Sequence, residues 1–279
     1  PPLLRGFAEL EQTSFGLLPH RLPARARAQS ADPQLAMVET EPSGVRLAFR
    51  TAATVIELDV LTTRRALVGV PPRPVGVYDL RIDGRLAAQQ SVRAATILRF
   101  DMTTGSVARE PAGVQTLHFD GLAGGDKLVE IWLPHNEITE LGSLRANAAI
   151  RAVAHSTGPL LVHHGSSISH GSNAASPTGT WPAIAASRLG LDLMNMGFGG
   201  NALLDPFMAR AIADRPADII SVKIGINLVN ADLMRLRAFG PAVHGFLDTI
   251  RDGHPDTPLL VISPIYCPIH ETTPGPGMF

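Results

Sequence analysis

The chain has 279 residues, enough for two domains at roughly 100–200 residues each. With 45% hydrophobic and 18% charged residues it can bury a core, which excludes intrinsic disorder as its main state. Basic residues number 24 against 25 acidic, a net charge of −1, so no positive field draws in nucleic acid or an anionic membrane.

In chain order, the first 30 residues carry no clear period. From residue 44 onward, β-branched and alternating stretches recur at 44–50, 54–61, 76–82, 96–100, 114–119 and 127–133. They are separated by turn signals at Pro71-Pro72, Asp83-Gly84, Thr104-Gly105 and Gly124-Gly125-Asp126. Short strands at this spacing predict an antiparallel β-sandwich over residues 1–155. Near residue 155 the pattern becomes strand, loop, helix. Strands are expected at 160–164, 191–196, 218–224 and 258–263, with helices at 181–189, 202–213 and 235–251. This alternation predicts an α/β domain over 156–279, a parallel sheet covered by helices on both faces. In such sheets the chemistry collects at the C-terminal ends of the strands, here the loops 165–171, 197–201 and 225–230.

Those loops carry complementary groups. Ser167 offers a hydroxyl at a helix start, where developing negative charge is favoured. Gly200 lets a backbone N–H approach a reacting oxygen, and the Asn227 amide can donate to an oxyanion. A hydroxyl and two separate donors are the minimum for acyl transfer. Plainer readings stand beside this one. Ser167 and Asn227 could be turn or cap residues. Gly197, Gly199 and Ala202 also satisfy a dinucleotide G-x-G-x-x-A pattern, although the acidic Asp218 sits at the start of the next strand instead of its end. His163, His164 and His170 crowd the first loop, but no carboxylate or thiol joins them, and neighbours on a strand face opposite ways, so no metal is expected. His170 is expected to border the pocket, and His270 is the best general base inside the chain. The single Cys267 excludes an intrachain disulfide and a Cys-rich zinc site.

Gly165-Ser166-Ser167-Ile168-Ser169, Asn195-Met196-Gly197-Phe198-Gly199-Gly200 and Gly225-Ile226-Asn227 resemble, in order and spacing, the first three blocks of the SGNH or GDSL-type esterases, over about residues 159–265. Trp181-Pro182 sits where that family often has the same pair. Ser166 replaces the usual Asp, and Leu228 the Asp that often follows the third block. The resemblance implies Ser167 as nucleophile, with Gly200 and Asn227 completing the oxyanion site. It also implies a flavodoxin-like, three-layer hydrolase domain behind a jelly-roll-like sandwich. Gly76-Val77-Tyr78-Asp79-Leu80 is similar, in scrambled order, to a signature of β-domains that precede some of these esterases.

The family's late Asp-x-x-His block is absent. Asp252-Gly253-His254-Pro255 is one residue too short and precedes the last strand, so it reads as a helix-to-strand loop. The expectation is a hydrolase domain incomplete at its C-terminus, with the general base encoded beyond Phe279. The expected activity is a serine esterase acting without cofactor or metal on a small-molecule or carbohydrate ester, including acetylated sugars. The alternative is a carbohydrate- or surface-binding protein whose hydrolase half has lost its activity. No apolar run reaches the roughly 18 residues of a membrane span.

Overall fold

A computed structural model of the chain describes residues 2–153 and 158–272. The first half is a sandwich of two sheets. One orders its strands Leu4–Arg5, Arg46–Thr51, Lys127–Trp132, Tyr78–Ile82 and Arg85–Gln90, with Arg151–Ala152 also paired to the second of these. The other runs Glu9–Gln12, Leu17–His20, Ile138–Ala146, Ile56–Leu67, Thr96–Phe100 and Val107–Glu110, and Gln115–Phe119 also pairs with Ile56–Leu67. Alternation along Ile56–Leu67 turns Ile56, Leu58 and Val60 inward. They meet Phe49, Leu80, Val129 and Ile131 of the facing sheet, all fully buried. The turn at Asp83-Gly84 has both residues at positive φ (47° and 79°), the twist that a two-residue hairpin needs.

Three features depart from the sequence expectation. The sandwich is antiparallel except for one pair, in which Thr63–Leu67 runs parallel to 96–100 without any crossover helix. Strands at Arg85–Gln90, Val107–Glu110 and Ile138–Ala146 add to those expected. The unassigned N-terminal stretch forms three short strands followed by the helices Ala24–Arg27 and Pro33–Thr40.

The second half is an α/β layer. Its described strands, Asp192–Gly197, Leu160–Gly165, Ile219–Lys223 and Leu259–Ile262, lie in that spatial order and are all parallel. The helix at Trp181–Leu189 matches its expected bounds, ending at Gly190 in the left-handed region. The next helix starts at Pro206 instead of 202, because proline at the first helical position fixes its start. Val162, Met196, Ile220 and Val222 form one face of the sheet's core with Met208, Ile212, Phe246 and Ile250. Leu22, Ala26, Leu35 and Val38 join the same cluster, so the two N-terminal helices pack on the α/β layer. No described helix is long and apolar enough to cross a membrane.

Candidate active site

Three adjacent strands deliver the three loops. Leu160–Gly165 leads through Ser166, in extended backbone, into the short helix Ser167–His170, which stops at Gly171. As the first helical residue, Ser167 has an N–H with no intrahelical acceptor, and its Oγ bonds no described residue. Asp192–Gly197 pairs in register with this strand, Gly165 opposite Gly197, and the Phe198 N–H donates to the Gly165 carbonyl at 2.8 Å. The following turn runs beside the serine: a Cβ on Gly199 would lie 3.8 Å from that of Ser167. Gly200 takes φ +77°, and its N–H donates to no described residue. Ile219–Lys223 flanks the other side, and the helix Ile226–Asn230 carries Asn227. The Asn227 Oδ1 accepts from the Ala202 N–H at 3.0 Å. That bond fixes which end of the amide is oxygen and leaves Nδ2 without a described partner.

Ser167, Gly199 and Gly200 line a cleft of about 680 Å³. Gln34, His135 and the 73–77 stretch also line it. Asn227 is buried and is not among the residues lining this cleft; its bond to the Ala202 N–H holds it against the turn that carries Gly200.

His170 borders this cleft, as expected, and it is fully occupied. Arg21 Nη2 donates to its Nδ1 at 3.3 Å, so that nitrogen carries no proton. Its Nε2–H donates to the His135 carbonyl at 2.6 Å and faces Glu41 Oε2 at 3.1 Å. Burial, and then the Arg21 charge, hold its pKa below the ordinary histidine value against the pull of Glu41. A ring with both nitrogens engaged cannot take the Ser167 proton. None of the described histidine side chains bonds Ser167 Oγ, and the His270 side chain lies outside those described.

The scaffold of these loops comes largely from the first half of the chain, which sequence reasoning missed. Arg21 is wholly buried, with its pKa pushed down to about 10 by burial, and forms no ion pair within 4 Å among the described residues. Its guanidinium donates to the carbonyls of Asn195 (3.0 Å), Gly197 (2.6 Å) and Val38, and stacks over the Phe198 ring 4.6 Å from the centroid. Ser43 Oγ donates to the His170 carbonyl, and Asn195 Nδ2 bonds both Ser43 Oγ (2.9 Å) and the Ser169 carbonyl (2.8 Å). Asp79, in the sandwich motif at 76–80, accepts from Ser176 Oγ at 2.7 Å and from the Thr178 N–H at 3.0 Å. That motif therefore braces the segment after the candidate nucleophile. Asn195 and Asp79 lay within recognisable blocks; isolated Arg21 and Ser43 carry no pattern.

His163 and His164 point to opposite faces. His163 bonds Ser221 Oγ (2.7 Å) and Ser169 Oγ (2.8 Å) and meets the Trp181 ring edge-on at 4.6 Å. His164 bonds the Met196 carbonyl at 2.8 Å between Phe198 and Phe246. Burial pushes His163 down to about 3, helped by His164, and His164 itself down to about 4. Both fall below the unfolded value near 6.5, so the unfolded chain binds more protons on acidification. Stability from these residues is complete above pH 6.5 and declines toward pH 4, by up to about 1.4 kcal/mol per pH unit for each histidine. Urea titrations at pH 7.5, 6 and 5 should give steadily lower midpoints; a flat profile would contradict this burial.

The rival uses of these loops find less support. After Ala202 the next helix begins only at Pro206, so no helix N-terminus stands on the 197–202 turn to receive a pyrophosphate. His254 follows the helix Leu236–Gly253 and bonds the Ile212 carbonyl, an ordinary helix-to-strand connection. Among the described residues, no group of three or more His, Cys, Asp or Glu side chains is placed to hold a metal.

Comparison with known proteins agrees with this architecture. The GDSL-like Lipase/Acylhydrolase family model matches residues 159–269, and the model of the SsfX3 N-terminal domain matches 3–140. No curated protein matches the chain in sequence. Among solved structures, the salicylyl-acyltransferase SsfX3 from a tetracycline biosynthetic pathway is 31% identical, with a TM-score of 0.85, covering 99% of this chain and 73% of that one. A GDSL-like lipase from Bacteroides ovatus ATCC 8483 is 24% identical, at TM-score 0.68 over 93% of this chain and 71% of its own. A family two carbohydrate esterase from Clostridium thermocellum shares the fold at 13% identity, TM-score 0.60, over 81% of this chain and 72% of its own. With identity at the first of these levels sustained across nearly the whole chain, and the three blocks set at neighbouring strand ends, this chain belongs to the GDSL-like lipase/acylhydrolase family of acyl-transferring and ester-cleaving proteins.

Proposed function

We propose that the protein moves acyl groups from ester donors through an acyl-enzyme on Ser167. The observation that carries this reading is the Ser167 hydroxyl, without a hydrogen-bond partner among the described residues, standing beside the Gly199–Gly200 turn, where the Gly200 N–H also has none among them. The hydroxyl attacks the ester carbonyl while a general base, which none of the described histidine side chains supplies, takes its proton and returns it to the departing alcohol. The N–H groups of Ser167 and Gly200, with Asn227 Nδ2, receive the charge that develops on its oxygen. The donor alcohol leaves, and a second hydroxyl compound then takes the acyl group: water in hydrolysis, a small-molecule alcohol in transfer. Similarity to a salicylyl-acyltransferase supports an acceptor other than water. A cleft of about 680 Å³ has room for a small-molecule or sugar ester.

The competing reading is a binding protein with an inert serine, and its support is that no described histidine bonds Ser167 Oγ. A fluorophosphonate reagent separates the two, because only an activated serine reacts quickly. Rapid, stoichiometric labelling located at Ser167 by peptide mapping is the expected result. Asn227→Ala should slow ester turnover by on the order of 10²–10³ in kcat. Labelling no faster than that of a denatured control would favour the binding protein.

A further inference from the structure

The Gly199–Gly200 peptide has no side chain on either flank, so it can flip with little steric penalty. Nothing within those two residues holds the Gly200 N–H in one direction. Its direction is set through the other end of the same peptide unit. In a trans peptide the carbonyl and the N–H point opposite ways. The Gly199 carbonyl accepts from Gln34 Nε2 at 3.0 Å and from Asn201 Nδ2 at 3.2 Å. Gln34 is itself anchored. It lies in the first turn of the helix Pro33–Thr40, where the Asp32 carboxylate caps its backbone N–H at 2.8 Å. Arg21 ties the far end of that helix, at the Val38 carbonyl, to the Gly197 carbonyl that begins the turn. The side chain also packs close: a Cβ on Gly200 would fall 2.5 Å from Gln34 Nε2.

We propose that Gln34 is a positioning residue that holds the Gly199 carbonyl and thereby keeps the Gly200 N–H turned toward the developing oxyanion. The role rests on the reading of Ser167 and Gly200 given above. Gln34 acts on the reaction through the peptide, without contact with the reacting atoms. Since Asn201 also grips the carbonyl, losing Gln34 misaims the donor part of the time, and the cost is smaller than deleting a donor outright.

The test compares Gln34→Met, which keeps the shape and loses the donor, with Gln34→Glu, whose carboxylate repels the carbonyl. Both are made in the full chain. Three quantities are read: kcat and KM on an activated aryl acetate, the rate of fluorophosphonate labelling, and the affinity for a boronic acid that forms a tetrahedral adduct on the serine. For Gln34→Met, kcat, labelling rate and boronate affinity should each fall about tenfold, below the 10²–10³ expected for a deleted donor. KM should stay within about twofold and the melting temperature should not move, since Gln34 is exposed. Gln34→Glu should lose at least as much. Unchanged kcat and boronate affinity would overturn the proposal, as would a raised KM at constant kcat, which would make Gln34 a substrate contact. Ser167→Ala, run in parallel, keeps the two ideas apart. Activity that survives it refutes the site itself, whereas Ser167-dependent activity indifferent to Gln34 refutes only the positioning role.

Discussion

Ester cleavage by a Ser167→Ala variant should fall to the background rate, because no acyl-enzyme can form without that hydroxyl. Neither of the other two serines in this block can substitute. Ser166 is buried, and Ser169 Oγ is bound to His163 at 2.8 Å. The variant should fold as the parent does, because Ser167 Oγ bonds no described residue and its removal leaves no buried partner unsatisfied. Alanine is also the better helix former at this helical position. Initial rates on an activated aryl ester, with a melting curve on the same sample, check both halves of the expectation. Turnover retained by pure, folded Ser167→Ala would rule out this nucleophile.

The largest loss of stability is expected at Arg21. Replacing it with methionine keeps much of the apolar stem but leaves the carbonyls of Val38, Asn195 and Gly197 without their donor in a closed interior. An orphaned buried acceptor costs about 1–3 kcal/mol, and relief from burying a charge offsets part of the sum. A net loss of about 3 kcal/mol should lower the melting temperature by roughly 6–12 °C at this size. Arg21→Lys should lose less in charge terms but still fail to span three carbonyls, because one ammonium cannot reproduce the guanidinium fork. A melting point for Arg21→Met equal to the parent's would mean that the guanidinium is not the tie between the two halves.

What could be read in the sequence followed physical rules that act locally. The parallel strands announced themselves as short apolar runs between turn signals. The loops that follow them at 165, 197 and 225 were identifiable because glycine, serine and asparagine cluster there. The strand at 138–146 was hidden because Gly142 interrupts it and a register shift between Leu141 and Leu144 breaks its alternation. Within it, Gly142 makes room for Phe15, whose ring would stand 2.7 Å from a Cβ. The helix at 33–40 shows no apolar stripe: its buried residues include Glu39 and Thr40 beside Leu35 and Val38. Its side-chain contacts, the Gln34 amide on Gly199 and the Glu39 carboxylate on His20, involve residues far from any local pattern. The scaffold of the candidate site was invisible for the same reason: Arg21 lies 174 residues before Asn195, and no local periodicity reports such a contact.

The polar character of the seam between the halves bears on how the chain is made. The sandwich draws its core from Leu4 to Leu141, so it is complete once residues up to about 150 have left the ribosome. At roughly 5–20 residues per second, several seconds pass before Asn195 and Gly197 emerge. During that interval Arg21, Ser43 and Asp79 face water, where guanidinium, hydroxyl and carboxylate are well solvated and invite little self-association. The exceptions are Trp132 and the apolar set Leu22, Ala26, Leu35 and Val38, whose covering partners belong to strands and helices still unmade. A nascent chain stalled near residue 160 would therefore present 22–38 as a sticky segment beside the lone Trp132 ring, and 22–38 is where a holdase chaperone would be expected to bind.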